Sequence, residues 1–382
     1  MPRNMDLISL IILFGIVQGF FLGILLILMR SPNRRANRVL GFLYFCFSIS
    51  ICHFFLLRTG LYESAPYLVR LSFPFLFLFG PLYYYYVRIL TDRTVVLGKE
   101  KWLHGIPFAL SCAYNIPFLL LSSEEKLAYV HSIYNPVWMH MGMIIGSVQV
   151  VHISIYMGII LKILARYDER IRNSASSIEK INLRWLRTGT IGFISIFAFI
   201  FVLLILQSTG IPTIRFYSVS VPIIVSVVIY VLGVLGLRQP EIFSPAESLA
   251  PVEVIEKKYE RSSLTPERTE EYAARIRSFM AEHHPHLDAE LTLPALAELL
   301  SIPPHHLSQI INAQFNSNFF DFVNMYRVDE AKRLLLDSSK SHYTILALAQ
   351  EAGFNSKTAF NTAFKRMTGE TPSSYRAKTA LN

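Results

Sequence analysis

A chain of 382 residues with 52% apolar and only 16% charged residues falls well short of the roughly 25% charge of soluble domains, which argues against a disordered or fully soluble protein. The formal net charge of +9 is uneven: residues 1–240 hold 21 Lys+Arg and 9 Asp+Glu, the remainder 15 and 18. The basic excess sits among apolar runs and reads as membrane topology before it reads as nucleic-acid affinity. Cys46, Cys52 and Cys112 lie in apolar runs without CxxC spacing, so neither a disulfide framework nor a thiolate zinc site follows.

Seven apolar runs long enough to cross a bilayer follow in order, roughly 6–29, 37–57, 66–90, 102–121, 137–164, 188–208 and 214–237, each near the required length of about 20 residues. The first is longer than a signal-peptide core and ends at Met29-Arg30-Ser31-Pro32 without a small-residue cleavage site, so it is expected to remain as a helix. Connections 1/2, 3/4 and 5/6 carry 15 Lys and Arg, and the opposite side five: Arg3, Arg58, Arg70, Lys126 and Arg215. Cytoplasmic loops are enriched in these residues, which predicts an outside amino terminus and a cytoplasmic position for everything after Arg238. Trp102, Trp138, Trp185 and Tyr83–Tyr86 lie near segment ends, where amphipathic rings favour the interface.

Gly15, Gly19 and Gly23 repeat every four residues and permit close helix approach, in internal packing or in a homodimer contact. His53, His104, His140 and His152 have no ligand-pair spacing, and the last two stand about 120° apart on a helix; packing or interface roles are expected rather than a metal. Pro74, Pro81, Pro107, Pro117 and Pro222 are tolerated as kinks. Without paired intramembrane carboxylates, a protease or a proton-coupled transporter has little support.

Residues 238–266, with Pro240, Pro245, Pro251 and Pro266, read as a linker. Beyond them lies an internal repeat. Ala295–Ile302 and Ala347–Phe354 align at an offset of 52, each an amphipathic helix ending in a small residue and then an apolar one, and each is followed by a second helix. The first copy runs from Pro304 to Asn312 and is expected to bury Leu307, Ile310 and Ile311; the second runs from the N-cap Ser356 to about Met367, burying Ala359, Phe360, Ala363, Phe364 and Met367. This is the helix-turn-helix plan. His305, His306, Ser308, Gln309 and Asn312, and then Lys357, Thr358, Asn361, Thr362 and Lys365, are expected on the outward faces, as donors or acceptors for base edges and phosphates. Between the units Phe319–Asp337 predicts a helix about 28 Å long, near one DNA turn of about 34 Å. The acidic residues of this half lie mainly in its first part, since residues 340–382 hold six Lys+Arg and two Glu.

Over about residues 265–379 the sequence resembles the AraC/XylS family of bacterial transcription regulators. The match rests on Asn324-Met-Tyr-Arg327 with Ala331-Lys332, then Gly353-Phe354, Phe360, Phe364-Lys365, Gly369, Pro372 and Tyr375-Arg376. The resemblance implies two units on a linking helix, each inserting its second helix into the major groove, with base-contacting places at His305, Ser308, Gln309, Lys357, Thr358 and Thr362. The family commonly has arginine at Gln309 and Thr362, so the operator sequence is left open. The usual soluble ligand-binding barrel is absent, and the first part resembles the membrane-embedded portion of a subgroup with several transmembrane helices.

The expectation is an all-α chain: a seven-helix membrane domain over 1–240, a linker over 241–266 and a double helix-turn-helix domain over 267–382. Double-stranded DNA, the lipid bilayer, RNA polymerase and a second copy of the chain are the expected partners, at the inner membrane of a bacterium, with an unidentified signal ligand. His283-His284-Pro285-His286 reads as a loop rather than a metal site. No phosphate loop, catalytic triad spacing or metal motif is found, so no cofactor and no enzyme activity are expected. The rivals are a receptor or transporter whose cytoplasmic helices bind protein, and an intramembrane enzyme.

Overall fold

The computed structural model describes residues 5–30, 33–92, 94–95, 98–99, 101–132, 136–237 and 264–379. The linker expected over 241–266 lies outside the described residues except for its last three. Regular structure among the described residues is helical, with one isolated bridge, Ala175 to Thr292. Two compact units form: Met1–Ala165 with Leu183–Gln239, and Arg166–Asn182 with Pro240–Asn382.

The first unit contains α1 (Leu7–Leu28), α2 (Arg34–Thr59), α3 (Leu76–Thr91), α4 (Lys101–Leu120), α5 (Ser123–His131), α6 (Pro136–Ser174, whose last turns belong to the second unit), α7 (Arg184–Ser208) and α8 (Ile214–Leu237). Seven helical segments among the described residues are long and apolar enough to cross a membrane. α1 shows why. Asp6 caps it, accepting from the Ser9 amide at 2.8 Å. Its inward residues Ile12, Ile16, Leu22 and Leu26 are buried while Leu10, Phe14, Val17, Phe21 and Ile24 point outward. A helix apolar on every face suits an apolar surrounding rather than water.

Three sequence readings are refined here. The 66–90 run is not one continuous α-helix; it opens with 3-10 turns at Pro66–Leu68 and Phe73–Phe75 before α3, because Pro66 and Pro74 supply no N–H at those points. Tyr83, Tyr85 and Tyr86, expected at the interface, are buried, and the Tyr83 hydroxyl lies 3.0 Å from Thr190 Oγ1 on α7. The phenol has an internal partner and needs no water. The glycine stripe serves internal packing: a Cβ at Gly15 would fall 2.2 Å from Ser226 Oγ, at Gly19 2.1 Å from Ser48 Oγ, and at Gly23 2.5 Å from the Phe45 ring. Among the histidines of the apolar segments, His104 Nδ1 meets the Tyr156 hydroxyl at 2.5 Å, and the side chain of His140 lies outside the described residues. No group of His, Cys, Asp and Glu suited to a metal occurs among the described residues.

The second unit holds α9 (Pro266–His283), α10 (Leu293–Leu299), α11 (Pro304–Gln314), α12 (Phe319–Leu336), α13 (Ile345–Glu351), α14 (Lys357–Thr368) and α15 (Pro372–Thr379). It has two apolar cores. One gathers Ala273, Ile276 and Met280 of α9 with Leu296, Leu307, Ile310, Ile311, Phe319, Phe322 and Val323. The other gathers Val328, Ala331, Leu334 and Leu335 with Leu348, Phe354, Phe360, Ala363 and Phe364. The two share α12, whose stripe passes from the first core to the second between Val323 and Val328.

Candidate nucleic-acid interface

Each helix pair is built by the same local chemistry. Thr292 Oγ1 accepts from the Ala295 amide at 3.3 Å and Thr344 Oγ1 from the Ala347 amide at 3.1 Å, so the threonine caps keep the offset of 52 and quiet the orphan amides that begin α10 and α13. The turns after them reverse the chain through a left-handed residue at the same offset: Ser301 at φ 50° and Gly353 at φ 88°. There the repeat slips. The second turn is one residue longer, so α14 starts at Lys357 where α11 starts at Pro304, and the buried sets Leu307, Ile310, Ile311 and Phe360, Ala363, Phe364 match at 53 rather than 52.

α14 turns to solvent the five residues expected on its outward face. Ser356 caps it, accepting from the Ala359 amide at 3.0 Å, and Gly369 ends it at φ 81°. Phe360, Ala363 and Phe364 face the core while Lys357, Thr358, Asn361, Thr362 and Lys365 are all exposed. Two ammonium groups, two hydroxyls and one carboxamide thus share one face, and these groups can meet phosphates and base edges.

α11 is different. Asn312 is exposed, but His305, His306 and Gln309 are only half-exposed and Ser308, expected to point outward, is buried. Ser308 stands about 100° around the helix from Leu307, on the flank of the apolar stripe beside Ile311, whereas Asn361, its counterpart at the offset of 53, is open. His305, Ser308 and Gln309 are each partnered within the chain. The His305 and His306 rings stand 4.2 Å apart between centroids. Burial, and then the Arg268 charge, lower the affinity of His306 for a proton.

The sequence reading assigned no role to the most deeply buried charge of the unit. Arg327 is 1% exposed. Its Nε donates to the His286 carbonyl at 2.8 Å, Nη1 to the Ser176 carbonyl at 2.9 Å, and Nη2 to Ser176 Oγ at 2.8 Å and the Asp288 carbonyl at 2.7 Å. Burial pulls its pKa down to about 10, against the charges of Glu179 and Asp288, so it remains a cation at neutral pH. His286, beside it, is pushed down to about 4 by burial, and the Nδ1 atom has no partner among the described residues. Arg376, the other arginine of the motif, ties α15 to the connection between α12 and α13 by donating to the Tyr343 carbonyl at 2.8 Å, and Arg366 pairs with Asp321.

In comparison with known proteins, the family model described as "Helix-turn-helix domain" matches residues 296–378. The chain is 33% identical over 92 residues to the HTH-type transcriptional regulator GlxA of Rhizobium meliloti (strain 1021), covering 24% of this chain and 28% of that one. It is 32% identical over 88 residues to the uncharacterized HTH-type transcriptional regulator YpdC of Escherichia coli (strain K12), covering 23% and 30%. An uncharacterized HTH-type transcriptional regulator of Staphylococcus aureus (strain COL) is 33% identical over 91 residues, covering 24% and 12%. The match therefore spans less than a third of these relatives' own lengths. A solved structure of a protein of unknown function from Listeria innocua matches at 28% identity and a TM-score of 0.25, covering 28% of this chain and 95% of that one. The carboxyl-terminal part is an AraC-type helix-turn-helix domain, and the similarity supports a DNA-binding regulator.

Proposed function

We propose that this chain is a membrane-embedded, sequence-specific DNA-binding transcription regulator of the bacterial inner membrane. The observation that carries the DNA reading is α14, which sets Lys357, Thr358, Asn361, Thr362 and Lys365 on one exposed face of a helix-turn-helix scaffold. The seven apolar segments embed the chain, with the amino terminus outside and the carboxyl-terminal domain in the cytoplasm, and the membrane half couples an external or membrane signal to transcription. The topology reading draws support from one further fact: the 166–182 segment, which the loop charge count assigns to the cytoplasmic side, belongs to the same unit as the helix-turn-helix pairs. DNA is the direct partner; RNA polymerase and a second copy of the chain are proposed as partners in regulation.

The test is retention of a duplex by the full-length chain in detergent or nanodiscs, first from a random pool and then with the selected sequence at rising salt. A specific complex whose affinity falls steeply with salt is expected, because each phosphate contact releases counterions. Capture of protein but no duplex establishes a receptor instead. Reporter fusions active only outside the cytoplasm test the topology: activity is expected in the 122–136 loop and none after Arg238.

A further inference from the structure

The junction between the two helix-turn-helix units is polar rather than apolar. The first core ends on α12 at Val323 and the second begins at Val328, with the Arg327 guanidinium buried at the division. A buried cation is tolerated only when its N–H groups are matched, and two of the four bonds that match this one come from Ser176.

Ser176 lies far away in sequence, in the 166–182 segment that the second unit incorporates. Three neighbouring residues of that segment touch three parts of the domain. The Ser176 amide donates to the Leu291 carbonyl at 3.1 Å and Ala175 forms a bridge with Thr292, both at the entry to the first unit. Ser176 then accepts from Arg327 on α12, and Ser177 Oγ accepts from Asn355 Nδ2 at 2.7 Å, in the turn of the second unit. Ala175, Ser176, Ile178 and Ile181 are buried. Tyr167 closes the segment on itself by donating to the Ile181 carbonyl at 2.8 Å. Gly353 leaves no slack at the same place, since a Cβ there would fall 2.4 Å from the His286 carbonyl.

We propose that residues 175–177 are a clasp that fixes the two helix-turn-helix units relative to each other and is the point at which the membrane half acts on DNA binding. The inference rests on the DNA-binding reading. The segment is bounded in sequence by two membrane-length helices, Gly142–Ser174 and Arg184–Ser208, so a shift of either is delivered to it directly. Withdrawing the clasp leaves Arg327 N–H groups unmatched and frees the junction to rearrange. One helix-turn-helix unit still binds its half-site; the pair loses its fixed spacing. The relation is reciprocal, because a duplex that holds both units in place must favour the clasped state.

The test uses the full-length chain in nanodiscs and two duplexes: one recovered from a random pool by the unsubstituted chain, and the same duplex cut to a single half-site. Ser176→Pro removes both the amide donor to Leu291 and the hydroxyl acceptor for Arg327; Ser177→Ala removes only the acceptor for Asn355. Affinity for the two-site duplex is expected to fall with both variants, by roughly fivefold or more for Ser176→Pro, with single-site affinity unchanged. In the unsubstituted chain the two-site duplex, and not the single site, should slow hydrogen exchange at the Ser176 amide. Unchanged two-site affinity in both variants, equal loss from both duplexes, or exchange indifferent to the duplex overturns the clasp. A chain that retains no duplex at all overturns the DNA-binding reading instead.

Discussion

The two helix-turn-helix units share a plan and differ in what they show to solvent. Both start at a threonine cap and turn through a left-handed residue, yet α14 opens its whole polar face while α11 keeps Ser308 buried and His305 and Gln309 half-covered. Their cores differ as well: leucine and isoleucine fill the α10–α11 pair, whereas Phe354, Phe360 and Phe364 meet in tilted and edge-to-face pairs through the second, with ring centroids 5.1 and 5.4 Å apart. A repeated scaffold therefore does not bring a repeated surface, because the stripe that packs the helix is set by a few apolar positions and the opposite face is free to diverge.

The largest test of this contrast is Phe360→Ala. Phe360 is fully buried, so its truncation should cost about 3–5 kcal/mol, seen in denaturant unfolding. If the two cores are separate, hydrogen exchange should rise in 345–379 well before it rises in 293–315. Leu307→Ala should do the reverse, and equal acceleration everywhere would mean one cooperative core. Next is the turn. Gly353→Ala must hold φ 88° and place its Cβ against the His286 carbonyl, and should cost about 2–3 kcal/mol. Ser301→Gly, at the matching position, should be neutral or slightly stabilising, since it relieves φ 50°; similar losses at both would make the two turns equivalent after all.

Surface changes should be smaller and should separate the reading faces. Lys357→Ala is expected to weaken duplex binding by about 1–2 kcal/mol and to lower the salt slope, while Ser308→Ala, being buried, should leave affinity and salt slope alone. A drop of equal size for Ser308→Ala would show that the first helix uncovers itself on DNA. The smallest effect concerns pH. His286 faces His284, Tyr326, Glu330 and Arg327 and has its pKa held down to about 4 by burial. The folded state therefore favours neutral imidazole, whose contribution is complete above the unfolded value of about 6.5 and declines as pH falls toward 4. Between pH 7 and 6 the unit should lose about 0.7 kcal/mol, and His286→Gln should flatten that slope in thermal unfolding.

Most helices were legible in the sequence to within a few residues, because long apolar runs and the 3.6-residue stripe are local signals. The exceptions are α6, which runs ten residues past its apolar run to Ser174, α3, which starts only at Leu76, and the short polar α5, which no apolar run announced. Prolines marked where the third run departs from a continuous helix, and the glycine stripe pointed to close packing without naming its neighbours. The Tyr83–Tyr86 run misled: a tyrosine near a helix end reads as interfacial unless its hydroxyl partner is known, and Thr190 stands 107 residues away. The slip from 52 to 53 lies in a turn, where one added residue changes no periodicity. Lys357, Thr358, Asn361, Thr362 and Lys365 followed from the stripe alone. Arg327 was visible as part of a motif but not as a buried cation, and Ser176 carried no signal, since its role depends on a pairing across 151 residues.

That separation has a consequence for how the molecule is made. At a translation rate of about 5–20 residues per second, Ser176 leaves the ribosome roughly 8 to 30 s before Arg327, and two apolar helices are synthesised in between. The carboxyl-terminal unit closes only around a stretch of chain, residues 166–182, that was made before both of those helices. Completion of the carboxyl-terminal unit is thereby tied to residues 166–182, and a fragment begun after residue 237 would emerge with the Arg327 bonds to Ser176 unmade.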